Sequence, residues 1–212
     1  RYGLLTGRYD WRTDQKHGVL NTTDPLHIET SRSTIASLLK SAGYRTAAIG
    51  KWGLGGPGDT GEPNLQGFDH WYGYMCQREA HNYYPTHLWR NTEWDTLRQE
   101  YFHPHQRIEA EPDDPTGYDR YKGVDYAPDL MTEEALRFIR THRDDPFFLY
   151  LAYNAPHWPL HAHPEDIAKY ADRYNHGWDK MRQSRFQRMK RIGILGARTS
   201  LPPRERDAKA WH

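Results

Sequence analysis

The spacing of apolar and polar positions changes several times along this chain, and each change marks an element. The opening Arg1-Tyr2-Gly3-Leu4-Leu5-Thr6-Gly7-Arg8 reads as the end of a short helix, closed by Gly7 in a left-handed conformation. After a polar stretch, Ser33-Thr34 supplies capping hydroxyls. Ile35, Leu38, Leu39 and Ala42 then recur at the spacing of a one-faced helix, which Gly43 ends. Tyr44 to Ile49 predicts a short strand that runs straight into Gly50-Lys51-Trp52-Gly53-Leu54-Gly55-Gly56-Pro57-Gly58. Helix, glycine, strand and glycine-rich loop form half of an α/β unit, a fold class whose loops at strand ends carry the chemistry.

From Pro57 to about Asp125 the chain is rich in Gly, Pro, Asp, Tyr and His with little sustained period, which predicts long surface loops lining a cleft. Thr132 is the expected cap of a second helix. In it Ala135, Leu136, Phe138 and Ile139 form the apolar side, Arg137, Arg140 and Arg143 point outward, and Asp144-Asp145-Pro146 is the stop. Phe147 to Tyr153 is a continuous apolar run, the pattern of a central strand buried on both faces, and it ends in the loop Asn154-Ala155-Pro156-His157-Trp158-Pro159. Pro164 suits the first turn of a short helix through Tyr170. A basic helix is expected from Trp178 to Arg191, with Trp178, Met181, Met189 and Ile192 inward and its Lys and Arg side chains solvated.

Composition narrows the class. An apolar fraction of 36% over 212 residues supports one globular domain or part of a larger one. A net charge of +1, from 29 basic and 28 acidic residues, gives no electrostatic case for nucleic acid or an anionic membrane. No apolar run approaches the roughly 18 residues of a membrane span. The chain opens on Arg1 with nothing like a signal peptide after it, so it reads as truncated or processed. The one cysteine, Cys76, has no partner for an internal disulfide and reads as a plain, partly buried thiol. Thirteen His, eight Trp and fifteen Tyr suit a cleft for a polar, ring-bearing substrate, although an aromatic core with surface His fits the same composition.

Two strand-to-loop junctions carry groups suited to an anionic ester: Lys51, a fixed cation, and His157, a titratable imidazole that can give a proton to a leaving oxygen. On spacing alone, a lysine beside tryptophan is equally a surface residue, and a histidine between prolines equally part of a rigid turn. His157, His161 and His163 sketch a zinc cluster, but no carboxylate or Cys completes an obvious set, and the chain is read without a metal site. Asp113-Asp114 and Asp144-Asp145, each followed by proline, read as turn or solvated residues.

Longer motifs turn these hints into an expectation. Arg1-Tyr2-Gly3-Leu4-Leu5-Thr6-Gly7-Arg8 resembles the second part of the first signature of type I sulfatases, and Ala42-Gly43-Tyr44-Arg45-Thr46-Ala47-Ala48-Ile49-Gly50-Lys51-Trp52 resembles their second. Gly67-Phe68-Asp69 with Tyr72-Gly73-Tyr74, and Pro146 to Tyr150 with Pro156-His157-Trp158-Pro159, are similar to segments further along that family. Gly177-Trp178-Asp179 with Arg182, and Leu201-Pro202-Pro203-Arg204, look like arylsulfatases in particular.

The resemblance implies an alkaline-phosphatase-like α/β fold, a mixed sheet flanked by helices, with residues 1–212 as part of one catalytic domain. It implies hydrolysis of a sulfate ester on a sulfated small molecule or carbohydrate, through a formylglycine nucleophile upstream of Arg1 and a calcium ion whose ligands have no match here. Arg1 would hold the formylglycine and the electrostatics around it, Lys51 would bind a sulfate oxygen, and His157 would contact the sulfate or protonate the leaving alcohol. Many sulfatases carry His two residues after the lysine, where this chain has Gly53; His81, in Ala80-His81-Asn82-Tyr83-Tyr84, is the candidate substitute and a substrate-binding residue. The resemblance also implies a periplasmic, secreted or lysosomal location. The alternatives are a phosphonate or phosphate monoester hydrolase of the same superfamily, and a non-catalytic carbohydrate-binding fragment.

Overall fold

The computed structural model describes residues 1–14, 18, 28–101 and 114–208, and these fall into two compact units, Arg1–Leu160 and His161–His212. The first unit is built on a five-stranded sheet: β1 (Arg45–Lys51), β2 (His70–Tyr74), β3 (His87–Arg90), β4 (Glu93–Thr96) and β5 (Phe147–Ala152), in the order β4-β3-β2-β1-β5. β1 runs parallel to β2 and β5, and β2-β3-β4 continue as an antiparallel meander.

Helices cover both faces. α1 (Tyr2–Thr6) ends at Gly7 with φ 67°, as its sequence predicts. α2 (Ile35–Ser41) begins in a capping box in which the Thr34 hydroxyl accepts from Ser37 N and the Ser37 hydroxyl bonds back to Thr34 N. Tyr2, Leu5 and Ala36 of these helices pack with Ala48, Phe68, Trp71 and Trp52 on one face of the sheet. On the other face Ala127, Met131 and Ala135 of α3 (Ala127–Thr141) pack with Ile49, Tyr72, Tyr74 and Leu88. Consecutive residues of β1 and β2 thus feed opposite clusters, as the pleat requires, and both strands are buried on each side.

Three expectations are corrected. α3 starts five residues before Thr132, at Ala127, with Pro128 in the first turn; the Thr132 hydroxyl donates back to Pro128 O at 2.7 Å, a mid-helix bond to the preceding turn rather than a cap. The span from Pro57 to Asp125 is not only loop, since it holds β2, β3 and β4; residues 102–113 of it lie outside the described residues. Its strands escaped notice because β2 is aromatic on both faces and so does not alternate, while β3 and β4 have four residues each and turn through Asn91 at φ 55°. β5, read as a central strand, lies at one end of the sheet order and is only partly buried.

The segment Gly67-Phe68-Asp69 is structural. Asp69 accepts from Thr46 N at 2.9 Å, pairs with Lys40 at 2.7 Å and so ties α2 to the start of β1; its carboxyl sits below the usual range because these bonds outweigh its desolvation. Asp114 accepts from Thr116 N and heads a short 3-10 helix, Asp145 lies 3.7 Å from Arg45, and Asp113 is outside the described residues.

The second unit contains α4 (Pro164–Ala168) and α5 (Gly177–Arg191). The Arg204 guanidinium meets Asp179 at 3.0 Å and the Arg182 guanidinium donates to Pro202 O at 2.6 Å, so the two arylsulfatase-like tail segments fold onto each other. Met181 and Met189 are half-buried, but Trp178 and Ile192, expected inward, are each 56% exposed. Among the described residues no helix is long and apolar enough to cross a membrane.

Candidate functional site

Because β1, β2 and β5 are parallel, the loops that follow Lys51, Tyr74 and Ala152 leave the sheet at one edge, its carboxyl end. Hydrogen bonds join them. Trp52 N donates to Tyr74 O at 2.9 Å and Gly53 N to Met75 O at 3.0 Å, extending the pairing of β1 with β2 into the loops. Asn154 Nδ2 donates to Ala80 O at 3.0 Å, and the Tyr83 hydroxyl donates to His157 O at 2.7 Å. The third loop is therefore fastened to the second.

Lys51, the last residue of β1, is held by tightly packed backbone. A Cβ on Gly50, at φ 121°, would stand 2.0 Å from Ala152 O, and one on Gly73, at φ 149°, would stand 1.9 Å from Gly50 O. The three parallel strands close up here to a spacing that only glycine tolerates. Lys51 itself is 8% exposed and, among the described residues, has no hydrogen bond or ion pair. Burial, and next the nearby Arg1 guanidinium, lower its pKa to about 8, with the Cys76 thiol acting weakly the other way.

Arg1 stands ahead of α1 beside Lys51 and Tyr150 of β5. Desolvation draws its guanidinium below the ordinary arginine value, although the residue as a whole counts as exposed. It too has no ion-pair partner among the described residues. Two neighbouring cations with no ion-pair partner among the described residues are a place whose charge an anion would neutralise.

The imidazoles of His81, which ends a 3-10 turn (Glu79–His81), and His157 stack with centroids 4.0 Å apart and 11° between planes. His157 Nδ1 lies 2.8 Å from Trp158 O, a contact that places a proton on Nδ1 and leaves Nε2 as the nitrogen that exchanges one. The structure thus brings the sequence-derived candidates together in two pairs, Arg1 with Lys51 and His81 with His157; Lys51 ends β1, His81 and His157 lie on the loops after β2 and β5, and Arg1 comes from the start of α1. His161 and His163 belong to the second unit.

Two amides were not singled out from the sequence. Asn154 is buried, and its Oδ1 has no hydrogen-bond partner among the described residues. Gln77, 7% exposed, fills the space beside Gly53: a Cβ there would lie 2.4 to 2.6 Å from Gln77 Cγ, Cδ and Nε2. Gly53 itself takes φ 67°, so the missing side chain at that position has both a conformational and a steric cause. A calcium ion does not fit what is present, since among the described residues no three His, Cys, Asp or Glu side chains converge as a metal site.

Comparison with known proteins identifies the family and the fold. The chain matches the sulfatase family over residues 1–201. It is 31% identical over 185 residues to an arylsulfatase of Klebsiella aerogenes, an alignment covering 84% of this chain and 35% of that protein. It is 32% identical over 209 residues to an N-acetylgalactosamine-6-O-sulfatase of Bacteroides thetaiotaomicron, covering 80% and 40%. The crystal structure of Ps i-CgsB superposes with a TM-score of 0.60 at 27% identity, covering 80% of this chain and 37% of that one. The chain therefore spans well under half the length of the relatives it matches, and its mixed sheet flanked by helices is part of the alkaline-phosphatase-like fold. This chain belongs to the sulfatase family.

Proposed function

We propose that this chain forms part of the sulfate-binding half of the active site in an enzyme that hydrolyses sulfate esters. The observation that carries the proposal is the buried, unpaired Lys51 ammonium with the Arg1 guanidinium beside it, at the carboxyl edge of the parallel strands. In this reading Lys51 holds a non-bridging sulfate oxygen. Arg1 adds positive potential where negative charge grows as the S–O bond breaks. His157 gives the proton on Nε2 to the leaving alcohol, its ring oriented by the bond from Nδ1 to Trp158 O and by the stack on His81. His81, the other ring of that stack, is assigned to substrate binding.

Formylglycine, upstream of Arg1, would supply the renewable nucleophile of the family. No step is assigned to calcium, because the described residues do not form its ligand set. A sulfated carbohydrate is the favoured substrate class, supported by the N-acetylgalactosamine-6-O-sulfatase relative and by the structure of Ps i-CgsB in complex with k-i-k-neocarrahexaose.

Turnover of an aryl sulfate by the complete enzyme carrying this chain tests the reading. Lys51→Ala and His157→Ala should each lower it by about a hundredfold or more. Unchanged turnover in both variants would place the site elsewhere. Preference for an aryl phosphate in a parallel assay would instead favour the phosphate monoester reading.

A further inference from the structure

Gln77 lies one residue past Cys76, whose thiol is close enough to Lys51 to influence its titration, and it follows the Gly53 N to Met75 O bond that joins the two loops. Its side chain is more than nine-tenths buried, yet among the described residues its carboxamide makes no hydrogen bond. Packing holds the side chain while no protein group engages the amide, which leaves it to pair with water or with a ligand atom. The amide also occupies the volume that a side chain at position 53, two residues after Lys51, would otherwise claim. Burial, lack of a partner and position together mark it as a group awaiting a ligand atom.

We propose that the Gln77 carboxamide is a specificity-determining group of the anion pocket, donating from Nε2 to a non-bridging oxygen of the sulfate held by Lys51. The inference rests on the sulfate-binding reading and deepens it. A neutral donor suits this place, since Lys51 and Arg1 already supply cationic charge and a third cation would add repulsion within the pocket. Unlike an imidazole, the amide donates equally well at every working pH.

The test measures KM for an aryl sulfate and the inhibition constant of inorganic sulfate in the complete enzyme carrying Gln77→Met and, separately, Gln77→Glu. Methionine fills nearly the same volume without a donor, so both constants should rise about tenfold or more, the usual effect of losing a hydrogen bond to a charged group. Glutamate keeps the shape but turns a carboxylate toward the anion, and the rise should be larger, about a hundredfold, easing at low pH as the acid is protonated. Both constants unchanged in the Met variant would reduce Gln77 to a space-filler and overturn the proposal. Should Met prevent folding, unchanged constants in the Glu variant would overturn it equally. Lys51→Ala separates the two readings: if it is silent the sulfate pocket itself is wrong, whereas if it is damaging and Gln77→Met is silent only the role of Gln77 falls.

Discussion

Lys51 titrates near the working range of most enzymes, and the direction of its shift fixes how the site should respond to pH. Burial and the Arg1 guanidinium disfavour the ammonium, so it is charged below about pH 8 and neutral above. A bound sulfate favours the charged form. The alkaline fall in kcat/KM, which reports the free enzyme, should therefore come near pH 8, and the fall in kcat should come higher. Lys51→Arg replaces the group with one that stays protonated and should remove the fall in kcat/KM. A pH profile identical in the Arg variant would assign that limb to another group. Lys51 and His157 stood out in the sequence as candidates because each follows a strand pattern and also falls within a sulfatase-like motif. Gln77 and Asn154 were not, since a lone amide in a loop carries no period, and their burial arises from contacts between loops distant in sequence.

Elements are held together by polar links as well as by the two aromatic-rich clusters. Glu134 of α3 is buried and meets His70 of β2 and Arg90 of β3, each at 2.7 Å, and also pairs with Arg137. Burial alone would raise its pKa, but the bonds from His70 and Arg90 and their charges prevail and hold it at about 2. The folded value is below the unfolded one, so this carboxylate contributes stability above about pH 4, lost as pH falls toward 2. Glu134→Gln should lower stability at pH 7 by about 3 kcal/mol, because it leaves Arg90 and Arg137 without their shared partner. Denaturant titrations at pH 7 and pH 3 would check this, and an equal loss at both would deny the carboxylate its part. At this scale α2 and β1 were readable because capping residues and periodicity agree. β2 was hidden because a strand covered on both faces loses its alternation, and the first turn of α3 was hidden because a proline that starts a helix also resembles one that ends a loop.

For the whole molecule, the sequence motifs conveyed family and fold class but not the order of strands. The apolar run Phe147–Ala152 suggested a sheet centre, yet β5 borders the sheet, and among the described residues no strand pairs with its outer edge. Leu151 on that strand is 39% exposed. A partly apolar open edge pairs readily with another chain, so the 212-residue chain by itself should self-associate as concentration rises, and Leu151→Lys should weaken that association. Sedimentation velocity would decide, with a wild-type chain that stays monomeric across the range counting against it.

The contact between Gly53 and Gln77 has a consequence for descent as well as for binding. One small volume beside Lys51 admits a side chain from residue 53 or from residue 77, but not from both. A single replacement at Gly53 must enter an occupied space on a left-handed backbone, and a single truncation at Gln77 leaves a buried void. Each change alone is unfavourable, and the two together remove the clash although the left-handed backbone at Gly53 still favours glycine, so the cost of one change depends on the other and the positions form an epistatic pair. The chemistry beside the lysine then changes hands only when both residues change.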